Sequence, residues 1–474
     1  MISILDNKSN KDKCQKFTPT DIVESMLDIA DYKNALAGKK VLENSFGSGN
    51  IVIAIVKRYI EDSISAGILP EAISCGLKND IYGVELDKEL FDTCIHKLNL
   101  MVKAYSIPEV EWSLYNEDAL FWEYPITFDF IIGNPPYITY KDIDADNRKK
   151  IRETYESCRH GKFDYCYAFI ERSIKLLNVS GKLVQLVPSN IYKNVFGKKL
   201  RELLYPHISL IREYPGQELF DGTLTSSTVF LYDKAYNSEV VTYIDMTVAK
   251  KTDIIRSTLG DKWIFSQRTE SPQEQLRFGD YFHASIVVAT LFNKAFVLSE
   301  KDLQDTKIEA QVLRKAASPK QLRRKVQEYI IFPYYYKNKK LMRYDRITFE
   351  RDYPNAVHHL NIYKTELDKR QKDDQAEWFE YGRSQALAHL KQEKLLMSTV
   401  VTKQVELYIL DEETVPYSGI FITVKNSEFT LDDAVKILQN QHFMDYVQSL
   451  GISVSGNSKR ITCKDINNYM FVKE

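Results

Sequence analysis

The stretch FDFIIGNPPYITY, residues 128–140, runs from an apolar segment into two consecutive prolines and an aromatic residue. Residues 128–132 have the composition of a buried strand. Each proline lacks an amide donor and has a fixed φ, so Pro135 and Pro136 end the strand in a rigid turn. Such a turn leaves backbone carbonyls pointing outward beside the ring of Tyr137. We therefore expect a functional site at the tip of this strand.

Strand-like and helix-like segments alternate on both sides of this stretch. Upstream, a helix is predicted to begin near Thr18, followed by strands that end at ENSFGSGN (43–50) and GVELD (83–87), each leading into a helix. Downstream, KDIDADNRKKIRE (141–153) is predicted to be a polar loop, before further helices and strands up to about residue 235. Such alternation predicts an α/β fold with a doubly wound, mostly parallel sheet, whose ligands lie beyond the carboxyl ends of its strands.

The alternation fades near Val240, and the composition changes with it. Residues 250–474 are rich in Tyr, Lys, Arg and Gln, with short strand-like pieces and one helical stretch at 430–450. We therefore predict a catalytic domain over residues 1–240 and a second, α+β domain over residues 241–474.

Composition sets the broad class of the protein. Among its 474 residues, 44% are hydrophobic and 27% are charged, as in ordinary soluble proteins. Because the net charge is −1, a nucleic-acid partner would require a local basic surface. No apolar run approaches the roughly 20 residues that cross a bilayer, and the first residues have no signal-peptide pattern. We expect a cytoplasmic protein without a membrane partner.

The six cysteines, at positions 14, 75, 94, 158, 166 and 463, include no C-x-x-C pair and are expected to stay reduced. Cys158, His160 and Cys166 are close in sequence, but no fourth ligand follows at a zinc-binding spacing. We therefore attribute this group to chance clustering and predict no metal site.

Glycines and an acidic residue follow the first predicted strand. Gly47 and Gly49 allow the backbone to approach a ligand closely, and Glu43 at the strand tip is able to accept hydrogen bonds from hydroxyl or amino groups. The third glycine of a dinucleotide-binding turn is absent, which disfavours NAD. A tight strand-to-helix connection without a ligand is the alternative interpretation.

Two more acidic residues continue the series. Glu85 ends the next strand, where a carboxylate commonly accepts both hydroxyls of a ribose, although it lies further from the glycine turn than the usual roughly 20 residues. Asp118 in YNEDALFW follows a possible third strand and is able to accept from an adenine amino group. Taken singly, Glu85 is equally a surface acid and Asp118 equally a helix cap. Their order along the chain, before NPPY, favours a nucleoside ligand.

The turn at residues 134–137 suits chemistry on an exocyclic amino group. Such a nitrogen is a poor nucleophile, because its lone pair is delocalised into the purine ring. Two acceptors, the Asn134 side-chain oxygen and the Pro135 carbonyl, would hold both N–H groups and return lone-pair density to the nitrogen. Tyr137 would stack on the base, an interaction worth roughly 1–3 kcal/mol. The amine attacks while neutral and loses its proton afterwards, so no strong base is needed. A purely structural turn is the alternative.

The order of FTP (17–19), ENSFGSGN, GVELD, EDAL (117–120) and GNPPY (133–137) resembles that of the γ-class adenine-N6 DNA methyltransferases, which include the TaqI and Eco57I modification enzymes. The resemblance covers most of residues 15–235 and, more loosely, the C-terminal half of the chain. This chain departs from the family at Asn44, where a proline often follows the first acid, and in the long gap before Glu85.

The resemblance implies a class-I methyltransferase fold that uses S-adenosylmethionine. The residues that it implies for the cofactor are Thr18, Glu43, Gly47, Gly49, Glu85, Asp118 and Phe169. Within this set, Thr18 would contact the methionine end, Glu85 the ribose and Asp118 the adenine. The residues that it implies for the target adenine are Asn134, Pro135 and Tyr137, with Phe220 stacking on the opposite face of the base.

An enzyme of this kind must flip its target base out of the duplex. Recognition of double-stranded DNA then falls to the second domain, where basic and aromatic residues are interleaved. The candidate DNA-binding residues are Lys320, Arg323, Arg324, Lys337, Lys339, Arg343, Arg383, Lys459 and Arg460. We expect a monomer in a bacterial cytoplasm, associated with the nucleoid. A cognate restriction endonuclease would be a separate chain.

Other functions share parts of this pattern. The same tetrapeptide occurs in enzymes that methylate protein glutamine or guanine in RNA, which is the main alternative. A bifunctional restriction enzyme and a non-enzymatic DNA-binding protein on a decayed methylase fold are further alternatives. The long basic and aromatic second domain favours DNA, and the intact NPPY and glycine turns disfavour decay.

Overall fold

The computed structural model describes residues 18–215, 226–265, 275–338, 340–454 and 458–473. The chain divides into two compact units, Met1–Gln267 and Arg268–Glu474. The first unit extends beyond the boundary predicted at residue 240, because strands Val240–Asp245 and Lys250–Ile255 continue its sheet.

The first unit alternates strands and helices. Its strands within the described ranges are β1 Val41–Glu43, β2 Ile81–Val84, β3 Ser113–Tyr115, β4 Phe128–Gly133, β5 Leu177–Pro188, β6 Ile208–Tyr214, β7 Ser227–Asp233, β8 Val240–Asp245 and β9 Lys250–Ile255. Its α-helices there are α1 Thr20–Ala30, α2 Asn50–Ser65, α3 Pro70–Asp80, α4 Lys88–Ala104, α5 Ala145–Thr154, α6 Cys166–Leu176 and α7 Lys198–Leu204.

These strands form one sheet in the order β3-β2-β1-β4-β5-β7-β6-β8-β9. Strands β3, β2, β1, β4 and β5 pair in parallel, whereas β7 is antiparallel to both β5 and β6. The chain moves outward from β1 to β3 and then crosses to β4 on the other side of β1. In a doubly wound sheet this reversal opens a crevice at the carboxyl ends of the strands. The predicted α/β sheet is confirmed.

The two faces of the sheet lead into two separate hydrophobic cores. Val41 and Ile132 belong to the core that contains residues of α1 to α4. Leu42 and Ile131, their neighbours along the strands, belong to the core that contains residues of α5 to α7. Because side chains alternate along a strand and helices cover both faces, the parallel strands are buried on both sides and consist largely of apolar residues.

Residues 141–153, predicted to be a polar loop, contain most of helix α5 instead. The side chain of Asp144 caps the helix by accepting from the amide of Asn147 at 2.9 Å. Ile151 is the residue of α5 that is buried in the core. The prediction was wrong because one buried residue in ten gives no apolar periodicity to detect.

The second unit has the predicted α+β character. Its strands among the described residues are β10 Gln275–Arg277, β11 Phe282–Ile286, β12 Val297–Ser299, β13 Leu313–Ala317, β14 Glu328–Ile331, β15 Tyr334–Lys337, β16 Lys340–Arg343, β17 Lys394–Met397, β18 Val400–Val401, β19 Leu407–Leu410, β20 Val415–Pro416, β21 Ile420–Val424, β22 Ile452–Ser453, β23 Lys459–Arg460 and β24 Met470–Val472. Its α-helices there are α8 Phe278–Tyr281, α9 Asn293–Phe296, α10 Glu300–Thr306, α11 Pro319–Arg323, α12 Arg346–Asp352, α13 Pro354–Asn361, α14 Lys364–Asp368, α15 Leu431–Gln439, α16 Gln441–Leu450 and α17 Cys463–Asn467.

Small sheets organise this unit. Two of them have four strands, in the orders β11-β21-β17-β19 and β12-β14-β13-β20, and β15 pairs with β16 as a hairpin. The stretch predicted as one helix at 430–450 is two helices, because Asn440 ends α15 and caps α16 by accepting from the amide of Phe443 at 2.8 Å. In neither unit do the described residues include a helix long and apolar enough to span a membrane.

Candidate active site

The carboxyl ends of β1, β2 and β4 meet where the strand order reverses. Register places Glu43, the last residue of β1, beside Gly83 of β2. It also places Leu42 beside Ile131 of β4. The acidic residue that follows β2 and the NPPY turn that follows β4 therefore lie at the same edge of the sheet as Glu43. The sheet brings together residues that the sequence places far apart.

Asn134 is held from two sides. Its Nδ2 donates to Thr18 Oγ1 at 3.1 Å, and its backbone carbonyl accepts from Ser45 Oγ at 3.2 Å. Thr18 is buried, and its own carbonyl accepts from Asn50 Nδ2 at 3.2 Å. The amide nitrogen of Asn134 therefore faces Thr18, and its side-chain oxygen faces away from Thr18. No sequence motif links Thr18 to Asn134, since 116 positions separate them.

The rest of the NPPY turn is packed into the protein. Pro135 is buried, and the ring of Tyr137 packs against the core that contains α1 to α4. The Tyr137 hydroxyl lies beside Ser227 at the start of β7, and burial raises the pKa of this hydroxyl well above its ordinary value. The turn is rigid because one side of it belongs to the core.

The turn after β1 requires glycine at two positions. Gly47 and Gly49 have φ angles of 56° and 97°, in the left-handed region. A methyl group on Gly49 would lie 2.6 Å from Cys94 Sγ, whereas one on Gly47 would meet nothing within 4 Å. Gly49 therefore allows α2 to pack closely on α4, and Gly47 borders open space at the crevice.

Glu85 ties this turn to the end of β2. Its Oε2 accepts from the Gly47 amide and its Oε1 from the Asp87 amide, both at 2.8 Å. Burial raises the pKa of Glu85, and these two amides oppose the shift. Each carboxylate oxygen keeps a further lone pair for a ligand hydroxyl. The predicted ribose acceptor thus also positions the glycine turn, a role that sequence reasoning missed.

Glu43 is a buried acceptor at the carboxyl end of β1. It is 2% exposed, and its Oε2 has no hydrogen-bond partner among the residues that the structure describes. Burial raises the pKa of Glu43 well above its ordinary value, the Val52 amide lowers it, and Glu85 raises it further. Because an unpaired buried acceptor destabilises the protein, a donor or cation from a ligand would be stabilised here.

Asp118 and Phe169 lie near each other through Tyr165. Asp118 Oδ1 accepts from the Leu120 amide at 3.0 Å, which is the local capping role that was its alternative interpretation. Burial raises the pKa of Asp118. Tyr165 lies close enough to Asp118 for their charges to interact, and its ring centroid is 5.4 Å from that of the buried Phe169. Asp118 and the ring of Phe169 therefore both lie near Tyr165.

A buried polar network lies behind the NPPY turn, and no sequence motif marks it. Ser173 Oγ on α6 accepts from Asn44 Nδ2 at 3.0 Å and from Gln185 Nε2 at 3.3 Å, and donates to a backbone carbonyl at 2.7 Å. Gln185 pairs in register with Gly133, and a methyl group on Gly133 would lie 3.7 Å from Asn44 Oδ1. The network therefore supports the backbone from which Asn134 projects.

We expect Ser173→Ala to lower the free energy of unfolding by about 1–3 kcal/mol, because it leaves two buried amides without their acceptor. Ser63→Ala on α2 is the matched control. Ser63 is equally buried, but its hydroxyl has no partner within the described part of the chain, so its loss should not destabilise the protein. Urea unfolding of both variants, followed by circular dichroism, measures the difference. Equal destabilisation would contradict this role for the network.

The predicted DNA-binding residues fall into four groups. Four of them are exposed and form no ion pair with a described residue: Lys320, Arg324, Lys337 and Arg460. Three are paired with carboxylates, Arg323 with Glu406, Arg343 with Glu380 and Arg383 with Asp373. Lys459 is half-buried in β23. Lys339, and Phe220 in the first unit, lie outside the described residues.

Arg343 has a structural role in the second unit. Its partner Glu380 is 2% exposed, and Arg343 also donates to the carbonyl of Gln375. Glu380 in turn accepts from the amide of Glu377 at 2.7 Å. Since this arginine compensates a buried carboxylate, its removal would leave that charge unpaired.

The cysteines near His160 do not form a metal centre in the structure as described. Cys158 and Cys166 are both buried, and Cys158 Sγ lies 3.6 Å from Ser157 Oγ. Over the described ranges, no group of three or more His, Cys, Asp or Glu side chains is arranged to hold a metal ion.

The part of the chain that includes the ends of β2 and β4 is similar to known proteins. Residues 78–220 match the family described as the Eco57I restriction-modification methylase. Over this segment the chain is similar to Eco57I-type methylases. The segment contains Glu85, Asp118 and the NPPY turn. The resemblance predicted from the order of the motifs is confirmed.

Three curated relatives are similar to parts of the chain. The Type II methyltransferase M.BstVI of Geobacillus stearothermophilus is 34% identical over 202 residues, 40% of this chain and 36% of that protein. M.PaeR7I of Pseudomonas aeruginosa is 29% identical over 198 residues, 40% and 34% of the two chains. The Type II restriction enzyme and methyltransferase RM.Eco57I of Escherichia coli is 24% identical over 356 residues, 62% and 34%. The matches span about a third of the length of these relatives.

Solved structures share the fold of both units of the chain. The Type IIL restriction-modification enzyme MmeI in complex with DNA has a TM-score of 0.61 and 10% identity, over 95% of this chain and 64% of that one. A nuclease-deletion mutant of the Type ISP enzyme LlaGI, in complex with a DNA substrate mimic, has a TM-score of 0.54 and 12% identity, over 91% and 51%. The class-I methyltransferase fold with an additional domain is confirmed.

Proposed function

We propose that this chain transfers a methyl group from S-adenosylmethionine to the N6 amino group of an adenine flipped out of a defined sequence in duplex DNA. We further propose that it is the modification part of a restriction-modification system. The observation that carries the proposal is the NPPY turn at the end of β4, where Thr18 and Ser45 orient Asn134 beside the crevice. The similarity to Eco57I-type methylases and to Type II methyltransferases supports it.

The residues around the crevice fit S-adenosylmethionine. The unpaired Oε2 of Glu43 suits the amino group of the methionine moiety. Gly47 leaves space for close approach, Glu85 has lone pairs for the ribose hydroxyls, and Asp118 suits the adenine amino group. When bound, the cofactor supplies a methyl group on a positively charged sulfur.

The residues of the NPPY turn would activate the target nitrogen. The Asn134 side-chain oxygen and the Pro135 carbonyl would accept from its two N–H groups, which restores lone-pair density to the nitrogen. Extrusion of the base from the duplex costs a few kcal/mol, and stacking on Tyr137 returns roughly 1–3 kcal/mol of it. The proton leaves the nitrogen after the new N–C bond has formed, so no strongly basic side chain is required.

Protein glutamine and guanine in RNA are the alternative substrates for such a turn. M.BstVI and M.PaeR7I are described as Type II methyltransferases, and RM.Eco57I is described as a Type II restriction enzyme and methyltransferase. Four of the cations predicted to bind DNA in the second unit are also exposed and have no carboxylate partner among the described residues. Both observations favour duplex DNA over the alternatives.

Thr18→Val separates two roles of Thr18. The substitution keeps the shape of the side chain and removes the hydroxyl that accepts from Asn134. If Thr18 orients Asn134, we expect kcat to fall roughly tenfold, the equivalent of about 1.4 kcal/mol, with the cofactor Kd unchanged. Single-turnover methylation and calorimetric titration with S-adenosylmethionine measure the two quantities. A raised Kd with normal kcat would instead make Thr18 a cofactor ligand only.

The function is tested by expressing the chain in a methylation-deficient bacterium and mapping modified adenines by single-molecule sequencing. We expect one recurrent sequence motif to carry N6-methyladenine. The same culture provides ribosomal RNA and release factors for mass spectrometry. Methylation of guanine in the RNA or glutamine in the protein, with unmodified DNA, would overturn the proposal in favour of the alternative substrates.

A further inference from the structure

Helix α5 and the turn after it carry several positively charged side chains. None of them has been assigned above to the cofactor, the target base or DNA binding. Residues 145–162 contain six Lys and Arg against three acidic residues, Asp146, Glu153 and Glu156, in a chain whose net charge is −1. Four of these cations are exposed and two are half-buried. None of the six forms an ion pair with a residue that the structure describes. By contrast, Arg58 of α2 and Lys78 of α3 both pair with carboxylates.

Aromatic rings hold three of these cations in place. The Cζ atoms of Arg148 and Arg152 lie 5.0 Å and 5.3 Å from the centroid of the Tyr140 ring. Arg152 Nη2 also donates to Tyr140 Oη at 2.9 Å and to a backbone carbonyl at 2.7 Å. Lys150 Nζ lies 3.5 Å from the centroid of Phe121. A ring orders a cation without neutralising it, so these charges remain available to an anion.

This surface directly follows the turn that holds the proposed target base. Tyr140 comes three residues after Tyr137, and α5 begins at Ala145. The carbonyl of Ile138 accepts from the Tyr165 amide at 3.0 Å, which fastens the segment between turn and helix to the start of α6. An extruded base remains attached to its phosphodiester backbone, so that backbone passes close to the exit of the turn.

We propose that Arg148, Lys149, Arg152, Arg159 and Lys162, the α5 basic surface, bind the phosphodiester backbone of the duplex next to the extruded base. The inference rests on the proposed function and adds the first unit to the parts of the chain that contact DNA. Contacts of this kind set affinity and orientation and carry no sequence information. Three of the arginines predicted to bind DNA in the second unit are paired with carboxylates, unlike these five residues.

The salt dependence of binding counts phosphate contacts. The full chain, saturated with S-adenosylhomocysteine, is titrated with a short fluorescent DNA duplex of random sequence over a range of KCl concentrations. For Arg148→Gln/Lys149→Gln, we expect the slope of log K against log[KCl] to shrink by about 0.9 for each lost contact, about 2 in all. Lys149→Gln alone alters one exposed side chain and should give about half of this change.

The matched control is Lys57→Gln/Lys78→Gln, which removes the same charge from the same unit. These lysines pair with Glu61 and Glu111, so we expect the wild-type slope. A double variant of α5 with an unchanged slope, or a control with the same loss, overturns the inference. A wild-type chain that binds cofactor but no duplex at any salt concentration overturns the proposed function itself. The two failures are therefore distinguishable.

Discussion

Asn134→Ala is expected to lower kcat for adenine methylation by about 100- to 1,000-fold, the cost of removing one well-placed group that stabilises charge development. The substitution removes the acceptor for one N–H of the target amine. It keeps the backbone carbonyl that accepts from Ser45 Oγ, so the path of the turn is preserved. The cofactor affinity is therefore expected to equal that of the wild type.

Single-turnover methylation of a duplex that carries the mapped motif measures this effect, and calorimetry measures the cofactor Kd. Asn79→Ala is the matched control, because Asn79 is near the end of α3 and precedes the amino end of β2, at the opposite edge of the sheet. Full activity of Asn134→Ala would contradict the mechanism in which Asn134 and Pro135 accept from the two N–H groups of the target amine. Loss of cofactor binding in the same variant would show that Asn134 serves the cofactor.

Glu43→Gln is expected to weaken S-adenosylmethionine binding by about 10- to 100-fold, since a hydrogen bond to a charged group is worth about 1.5–3 kcal/mol. The carboxylate is buried, and the ligand amino group would be the partner of its unpaired Oε2. Calorimetric titration of wild type and variant measures the loss. A variant that binds the cofactor as tightly as the wild type would contradict this role.

The same substitution should affect the stability of the ligand-free protein in the opposite direction. Burial raises the pKa of Glu43 above its unfolded value, so the folded state binds an extra proton between the two values. The contribution of Glu43 to the free energy of unfolding is therefore fully present at pH values below the pKa that Glu43 has in the unfolded chain. This contribution is lost as the pH rises through the pKa that Glu43 has in the folded protein. Because glutamine does not ionise, the Glu43→Gln variant should not lose this stability. We therefore expect its free energy of unfolding to be higher than that of the wild type at alkaline pH.

A second buried glutamate provides the control of opposite sign. Burial raises the pKa of Glu171 on α6, but Lys175 and the Ser157 amide hold it below its ordinary value overall. Its contribution is present above the unfolded pKa and is lost as pH falls through the folded pKa. Glu171→Gln should therefore destabilise the protein at neutral pH. The melting temperatures of Glu43→Gln and Glu171→Gln, measured over a range of pH, test this. Stability changes of the same sign in the two variants would contradict it.

Much of the candidate site could be predicted from the sequence, because each of its residues directly follows a predicted strand. The carboxyl ends of parallel strands meet at one edge, so Glu43, Glu85 and Asn134 were expected to lie together. Their roles toward the ligands remain predictions. Helix α5 escaped detection because its surface is almost entirely polar, with Ile151 as its buried residue. Strands β8 and β9 escaped because most of their residues are at least partly exposed.

Charged residues were the least predictable part of the chain. Arg343 and Arg148 occur in similar runs of basic and aromatic residues. In the structure, Arg343 compensates the buried Glu380, whereas Arg148 rests on the ring of Tyr140. Composition does not distinguish the two, because the availability of a charge depends on which carboxylate the fold places beside it.

The sequence by itself determined the doubly wound sheet, the order of the candidate site residues along it and the resemblance of its central segment to a known family. Only the tertiary structure decided which atoms meet. Thr18 reaches Asn134 across 116 positions, Asn44 reaches Ser173 across 129, and Glu85 reaches Gly47 across 38. Local patterns encode strands and turns through periodicity, whereas these contacts depend on how the packed elements bring distant side chains to within about 3 Å of each other.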